Sequence, residues 1–208
     1  MAPVALEHLR NAPPEYAETL DFMRKNKYGQ RKALEAAGIP IPATYAHPGE
    51  AWGAAFDDGA KFVVRPLRHS GGRDYRVTDS ISDFVGGQQY LSELYPKRRE
   101  YRVIFCFGKP VIWLRKHENE GVSSDEPWGH VNSSFKTIQD VASCKLSATD
   151  CVSRLSAYPV VRGAHIIAAD ILYNRKHEKP YVVLELNACP GLTIDNNRAM
   201  IAQAIRSR

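Results

Sequence analysis

The sequence predicts an α+β fold, in which helices accompany antiparallel sheets. Helical periodicity occurs near both ends of the chain, at 16–26 and 196–205. Between them, short apolar runs come in pairs separated by glycine-containing or polar turns, as antiparallel hairpins require, at 61–77, 101–114 and 164–186. The chain has 208 residues, which is long enough for one compact domain or for two small lobes that share a cleft.

The composition is that of a globular protein without a membrane span. Hydrophobic residues make up 44% and charged residues 25%, as in ordinary globular proteins. No run approaches the ~20 apolar residues of a membrane span, and no basic segment precedes an apolar one at the N-terminus. We therefore expect a soluble, cytoplasmic protein without a membrane partner. The formal charge of +5 suits an anionic ligand, but the basic run 97–99 is more typical of a solvated loop, so nucleic acid is not indicated.

The four cysteines are far apart in sequence and contain no CxxC pair. This spacing favours neither a disulfide framework nor a zinc site. We expect reduced thiols at Cys106, Cys144, Cys151 and Cys189.

In the first half of the chain, a short amphipathic helix is predicted over 16–26. A second helix, Gln30–Ala37, stops at the segment GIPIP, because Gly38 and two prolines prevent its continuation. The pattern then predicts a buried strand at 61–67, a glycine-containing loop at 68–75 and a return strand at 76–77. The next segment, 83–95, starts with a helical pattern and ends in a connector.

In the second half, Gly108 divides a predicted hairpin whose strands are almost unbroken apolar runs. The polar stretch 118–140 is predicted to be a long loop, which in a compact domain is usually functional or disordered. A helix at 149–157, a hairpin with strands at 164–172 and 181–186, and a last helix at 196–205 complete the chain. We expect the last helix to bury Met200, Ile201, Ala204 and Ile205.

The most informative cluster is Asp170 followed, across one hairpin, by Glu185 and Asn187. Residues two apart in a strand point the same way, and Asp170 can face them from the preceding strand. In strands that are otherwise apolar, these groups need a compensating cation, and Mg²⁺ prefers such oxygen ligands. Ion pairs with nearby Arg or Lys would serve as well, and the trio alone does not decide between the two.

Four segments resemble those of the ATP-grasp superfamily. ELNACPGL is similar to its ExNxxPGL signature, and KYGQRKALEAAGIPIP to the lysine-led helix closed by GIPxP. KFVVRPLRHSGGRDYRV resembles its strand and phosphate-covering loop, and EYRVIFCFGKPVIWLRK its central hairpin. The resemblance covers roughly residues 25 to 205. It is nearest to the glutathione-synthetase-like group that includes the ribosomal-protein glutamate ligase and small phage-type members.

This resemblance implies two α+β lobes whose antiparallel sheets grip ATP. It divides the chain into an N-terminal helical extension (1–24), a small lobe with the phosphate-covering loop (25–95) and a large lobe with the Mg²⁺ site (96–208). Many superfamily members carry a preceding α/β domain, which this division leaves out. The implied metal ligands are Asp170, Glu185 and Asn187.

The resemblance also implies a set of nucleotide contacts. Lys27 and Arg65 would reach the phosphates, with Arg65 at a position that usually carries lysine. As alternatives, Lys27 suits an exposed helix end and Arg65 suits a pair with a carboxylate. The loop would cradle the β and γ phosphates through His69, Ser70, Gly71, Gly72 and Arg73, although two adjacent glycines also suit an ordinary turn.

The connector 91–95 would contact the adenine through its backbone, including Leu94. Glu93 is the first choice for the acidic residue on the ribose, and Glu100 competes with it. Arg102, Arg115 and Asn132 would lie near the transferred phosphate and the substrate. His130 stands where related ligases often have arginine.

The activity that the resemblance implies is a carboxylate–amine ligase. ATP phosphorylates a carboxylate, and an amine then attacks the acylphosphate to form an amide. A kinase-like phosphotransferase and a nucleotide-binding module without turnover stay open. The substrates would be small-molecule or peptide carboxylates and amines, and a partner protein could supply one of them.

Overall fold

A computed structural model describes residues 16–47, 49, 61–68, 75–79, 84–118, 133–188 and 195–207. It confirms an α+β architecture with two antiparallel sheets. The helices are α1 (Ala17–Arg24), α2 (Lys27–Ala36), α3 (Cys151–Ala157), α4 (Pro159–Gly163) and α5 (Asp195–Arg206), with a 3₁₀ helix at Lys145–Ala148. The strands are β1 (Thr44–Tyr45), β2 (Phe62–Pro66), β3 (Arg76–Thr78), β4 (Gln89–Glu93), β5 (Arg99–Cys106), β6 (Lys109–Glu118), β7 (Ser133–Thr137), β8 (Ile167–Tyr173) and β9 (Tyr181–Asn187).

The smaller sheet has the strand order β1-β4-β2-β3. One face carries a compact apolar cluster of Phe62, Val64 and Leu91. Because side chains alternate along a strand, Arg65 and its cross-strand partner Tyr90 lie on the opposite face. That second face looks toward helix α2, where the Arg31 guanidinium lies over the Tyr90 ring.

The larger sheet has the order β7-β6-β5-β8-β9, and its two faces differ in chemistry. The face we call the rear face carries the main core, in which the strands pack against helices. Its buried residues include Tyr101, Val103, Phe105, Trp113, Leu155, Val161 and Ile171. The opposite face, called the cleft face, carries Ile104, Ile112 and Leu114 under Ile201 of α5. Farther along the same strands, the cleft face carries Arg102, Lys116 and Asp170.

The first two helices pack on the larger lobe. Thr19 Oγ1 donates a hydrogen bond to Val160 O at 2.7 Å, which ties α1 to α4. Phe22, Leu34 and Ile39 belong to the core of the larger sheet. The region predicted as an N-terminal extension, together with the start of the predicted small lobe, therefore contributes to the core of the large lobe.

Capping and turn residues explain where helix α2 begins and ends and where the hairpin of β5 and β6 turns. Helix α2 begins at Lys27, three residues earlier than predicted, because the Asn26 side chain accepts a hydrogen bond from Gly29 N at 2.8 Å. It stops at Gly38, whose φ of 71° is left-handed. The hairpin between β5 and β6 turns at Phe107 and Gly108, with φ values of 50° and 77°.

Three expectations from the sequence need correction. The segment 84–93 is not helical: it makes a turn and then strand β4, because pairing with β2 buries Tyr90 and Leu91 on opposite faces. The stretch predicted as one long loop includes strand β7, which pairs with β6. On α5, Met200 and Ile205 are 41% and 44% exposed, and only Ile201 of the apolar residues is buried.

Two further findings concern membrane-spanning helices and the cysteines. Among the described residues, no helix is both long and apolar enough to cross a membrane. Cys106, Cys144 and Cys151 are buried and form no disulfide among the described residues, and Cys189 lies outside them.

The packing of α5 gives a matched stability test. Ile201→Ala removes a side chain that is 4% exposed, whereas Ile205→Ala changes one that is 44% exposed on the same helix. Because the buried site leaves a cavity, Ile201→Ala should lower the free energy of unfolding by about 2–4 kcal/mol. Ile205→Ala should change it by less than about 0.5 kcal/mol. Urea unfolding measures both, and equal losses would show that α5 is not docked through Ile201.

Candidate functional site

The predicted metal ligands lie together on the cleft face. Asp170 of β8 and Glu185 of β9 are direct cross-strand partners, and Asn187 follows two residues later on β9. The Asn187 amide Nδ2 donates to Asp170 Oδ2 at 3.2 Å and to Glu185 Oε1 at 3.0 Å. Two carboxylates and one amide therefore meet at one point.

A β-bulge shapes this meeting point. Asp170 lies opposite Glu185, but the next residue, Ile171, lies opposite Val183, so Leu184 is an extra residue on β9. Bulges bend a strand and redirect its side chains, and they are frequent beside functional sites. The backbone carbonyl of Leu184 is turned toward α2, where it accepts a hydrogen bond from Arg31 Nε at 3.2 Å.

Two cations balance the carboxylates. Arg102 holds Asp170 with two parallel hydrogen bonds, Nε to Oδ1 at 2.6 Å and Nη2 to Oδ2 at 2.8 Å. Burial raises the pKa of Asp170, which is 4% exposed, and the Arg102 guanidinium opposes that rise. Lys27 Nζ lies 3.3 Å from Glu185 Oε2. Both ion pairs that the sequence left open as an alternative are thus present.

The donor set fits Mg²⁺. The described residues contain no group of three or more His, Cys, Asp or Glu arranged to hold a metal, and the trio contributes two carboxylates and one amide. Carboxylate and amide oxygens are the protein ligands that Mg²⁺ prefers, with water and phosphate oxygens completing its shell. Asn187 directs its nitrogen at the carboxylates, and rotation of the amide by half a turn would present its oxygen instead.

Cations from α2 and the smaller sheet line the same cleft. The Arg65 side chain shares a sheet face with Tyr90, and its Nε is buried without a hydrogen-bond partner among the described residues. An unpaired buried donor of this kind is costly unless a ligand satisfies it. Lys27, Gln30, Arg31, Leu34, Tyr90, Leu184 and Glu185 line a narrow crevice beside the trio.

Arg31 is a residue that the sequence reasoning missed. It is 2% exposed and bonds to both lobes: its Nε to Leu184 O and its Nη1 to Thr44 Oγ1 at 3.4 Å. One signal could have identified it. Arg31 follows Lys27 by four residues, so both side chains must lie on one face of the helix.

The expectation for Arg115 is corrected. Arg115 is the cross-strand partner of Tyr101, whose side chain belongs to the rear core, so Arg115 faces away from the trio. The neighbouring residue, Lys116, faces the cleft and donates to Glu100 Oε1 at 2.9 Å. Of the basic pair, Lys116 rather than Arg115 therefore lies on the face that carries the trio.

The two carboxylates considered for the ribose lie on different faces. Glu93 is the cross-strand partner of Phe62, which belongs to the outer cluster of the smaller sheet, so Glu93 faces away from the cleft. Glu100, the competing choice, is on the cleft face between the ammonium groups of Lys97 and Lys116. The connector follows β4, so it begins at Leu94 rather than Leu91.

An apolar cluster lies next to that connector. It consists of Tyr95, Leu172 and Val182, with Leu184 packed against them. The remaining predicted contacts lie outside the described residues: His69, Ser70, Gly71, Gly72, Arg73, His130 and Asn132.

No protein-family model matches the chain, and no curated protein matches it. Solved structures do. D-cycloserine synthetase DcsG matches with a TM-score of 0.61 at 16% identity, over 91% of this chain and 71% of that chain. The ATP-grasp ligase PsnB, complexed with minimal precursor, Mg and ADP, matches with a TM-score of 0.58 at 19% identity, over 91% of this chain and 61% of that chain.

D-alanine–D-alanine ligase from Bacillus anthracis, complexed with ATP, matches with a TM-score of 0.55 at 17% identity, over 81% of this chain and 57% of that chain. The chain has the ATP-grasp fold. It spans about three fifths of the length of the PsnB and D-alanine–D-alanine ligase structures.

Within this ATP-grasp fold, Glu100 gives a pH-dependent prediction. Burial alone would raise the pKa of Glu100, but the ammonium groups of Lys97 and Lys116 outweigh it and hold the pKa below its usual value of 4.5. A lowered pKa stabilises the folded state above pH 4.5, and this stability is lost as the pH falls through the folded value. We expect wild-type protein to lose stability below that pH more steeply than Glu100→Gln in urea unfolding series. Parallel pH profiles would contradict the ion-paired state of Glu100.

Proposed function

We propose that the chain binds ATP with Mg²⁺ in this cleft and uses it to join a carboxylate to an amine. One observation carries the proposal: Asp170, Glu185 and Asn187 converge in the cleft of an ATP-grasp fold, with Arg102 and Lys27 against the two carboxylates. Asp170, Glu185 and Asn187 would hold Mg²⁺, which would neutralise negative charge on the phosphates.

The rest of the nucleotide fits the chemistry of the cleft. The apolar cluster of Tyr95, Leu172 and Val182 beside the connector suits an adenine ring. Glu100 faces the cleft and suits the ribose hydroxyls. Arg65 and Lys27 lie toward the phosphate end, where the unpaired Arg65 Nε would gain a phosphate oxygen as acceptor.

In the proposed reaction, a substrate carboxylate oxygen attacks the γ-phosphorus of ATP, and the bond to the β-phosphate oxygen breaks. This gives an acylphosphate and ADP. An amine then attacks the acyl carbon, loses a proton, and expels inorganic phosphate to leave an amide. The chain contributes positioning and positive charge, because Arg102, Lys116 and Lys27 surround the cleft face where negative charge moves.

The substrate class is proposed from the sequence motifs. They point to the glutathione-synthetase-like and ribosomal-protein glutamate ligase-like group, including its small phage-type members. Amino acids, small carboxylates and peptides are therefore the first substrates to test. A partner protein that supplies one substrate in the cytoplasm belongs to the same proposal.

One observation favours a second candidate, a nucleotide-binding module without turnover. Arg102 occupies both oxygens of Asp170, so a metal must compete with a bidentate guanidinium for that ligand. The Arg65 substitution at the expected lysine position acts in the same direction, because a planar guanidinium is not a geometric copy of an ammonium.

A product screen distinguishes these functions. Purified protein is incubated with ATP, Mg²⁺ and pools of amino acids, peptides and hydroxylated compounds, and the products are analysed by mass spectrometry. We expect ADP, inorganic phosphate and a new amide. A phosphorylated product would establish a kinase-like transfer instead, and saturable ATP binding without turnover in any pool would establish the module.

The metal ligands are tested by an isosteric change. Asp170→Asn combined with Glu185→Gln keeps the shape of both side chains but removes both negative charges. We expect calorimetry to show the loss of the Mg²⁺-dependent part of ATP binding, at least about tenfold in affinity. Glu178→Gln, in the exposed turn between β8 and β9, makes the same chemical change away from the site and should bind as wild type. Unchanged affinity in the double variant would refute the metal assignment.

Arg65 is tested by a charge series. Arg65→Met keeps an unbranched apolar stem and removes the guanidinium, so ATP affinity should fall about tenfold or more. Arg65→Lys restores the cation and should recover most of that loss. If Met and Lys variants bind ATP equally well, the unpaired Nε does not face a phosphate.

A further inference from the structure

A row of cations lies on the rear face of the larger sheet, across the sheet from the proposed nucleotide site. Arg115 and Lys136 are direct cross-strand partners on β6 and β7, and His117 lies two residues from Arg115 on the same face. We call Arg115, His117 and Lys136 the rear cationic row. Ser134 of β7 is the cross-strand partner of His117 and lies on the same face.

Within the part of the chain that the structure describes, the row has no compensating anion. Arg115 Nε is buried without a hydrogen-bond partner, and neither Arg115 nor Lys136 belongs to any ion pair within the described residues. Burial and the charges of Arg115 and Lys136 all lower the pKa of His117. Like charges placed directly opposite each other destabilise a sheet, so an acidic ligand would relieve this arrangement.

The row is located at an edge where another strand can add. Strand β7 is the last strand of the larger sheet and pairs with β6 on one side. The other edge strand, β9, is covered: Val183 N bonds to Pro40 O at 2.7 Å, and Leu184 O accepts from Arg31. Among the described residues, nothing covers β7 in this way. Its register with β6 contains no bulge, so its backbone is a regular template.

We propose that the outer edge of β7 binds an extended acidic peptide segment as an added antiparallel or parallel strand. Backbone pairing would supply part of the affinity, and alternate side chains of the peptide would supply the selectivity. An acidic residue opposite Lys136 would have its Cβ about 5 Å from the Lys136 Cβ. Arg115, the cross-strand partner of Lys136 on β6, adds a second positive charge on the same face. Lysine at an edge also discourages pairing with apolar or basic strands, so the edge selects for acid.

The geometry has a second consequence for the bound peptide. Its other side chains would point to the cleft face beside Phe135, because side chains alternate across an added strand. The Phe135 ring lies under the Arg102 guanidinium, 4.5 Å from its central carbon to the ring centroid, and Arg102 holds Asp170. The acidic segment would thus lie along one wall of the proposed active site.

The probe is a fluorescent peptide of about ten residues that alternates Glu and Thr, a length sufficient for one strand. Three matched probes accompany it: the same peptide with Lys for Glu, the same acidic peptide with alternate backbone nitrogens methylated, and a single-stranded deoxythymidine oligonucleotide of equal length. Binding is followed by fluorescence anisotropy at low salt and without nucleotide. The outcome is therefore independent of whether the proposed ligase function holds.

We expect the acidic peptide to bind the full chain, and the basic and methylated peptides to bind at least about tenfold more weakly. Arg115→Gln with Lys136→Gln should weaken binding of the acidic peptide by a similar factor. Lys176→Gln, which removes an exposed cation in the turn between β8 and β9, should not. Lys136→Glu should reverse the preference toward the basic peptide, and Lys136→Gln should leave the melting temperature unchanged or higher because it removes a repulsion.

Equal binding of the methylated peptide would overturn strand pairing. Tighter binding of the oligonucleotide than of the acidic peptide would replace the peptide by nucleic acid, and it would overturn the proposal. An acidic peptide that does not saturate the wild-type chain would also overturn it. Any variant with a lowered melting temperature is replaced by Lys136→Glu, whose predicted reversal does not depend on loss of binding.

Discussion

The ion pair between Arg102 and Asp170 is the interaction on which the site depends. It joins neighbouring strands β5 and β8 in the middle of the larger sheet, and both oxygens of Asp170 are used. A buried carboxylate left without its partner costs about 3–5 kcal/mol, so the cleft can hold Asp170 and Glu185 side by side only with cations against them. The Arg102 side chain of this pair also lies over the ring of Phe135, which belongs to the edge strand β7. Charge balance in the cleft and the position of the sheet edge are thus coupled through one guanidinium.

The two-residue period of the strands separates the chemistry of this chain into two faces. On β5 and β6, Glu100, Arg102 and Lys116 face the cleft, while Tyr101 and Arg115 face the rear. Sequence neighbours therefore have unrelated roles. Arg115 and Lys116 form a basic pair in sequence, yet Arg115 belongs to the rear cationic row and Lys116 to an ion pair on the cleft face.

Most of the fold could be predicted from the sequence, because apolar runs and turn residues are local signals. The hairpin at Gly108, the paired strands β8 and β9, and the end of α2 at Gly38 all follow from such signals. Strand β4 was missed because its pattern is decided by pairing with β2. In the site, Asp170, Glu185 and Asn187 were placed together correctly from spacing. The faces of Glu93 and Arg115 were not, because a one-residue change in register inverts a strand and only the paired structure fixes it. Arg31 was missed because its partners are a bulge carbonyl and residues of the other sheet.

Arg31 constrains how the two lobes can move apart. Its guanidinium bonds to Leu184 in the larger sheet and Thr44 in the smaller one, and it lies over the Tyr90 ring, all in a buried position. Pulling the sheets apart at this point would strip a buried cation of its acceptors, which is costly. A separation of the two sheets beside α2 would break both hydrogen bonds at once, so a single buried side chain fastens the smaller sheet to the larger one.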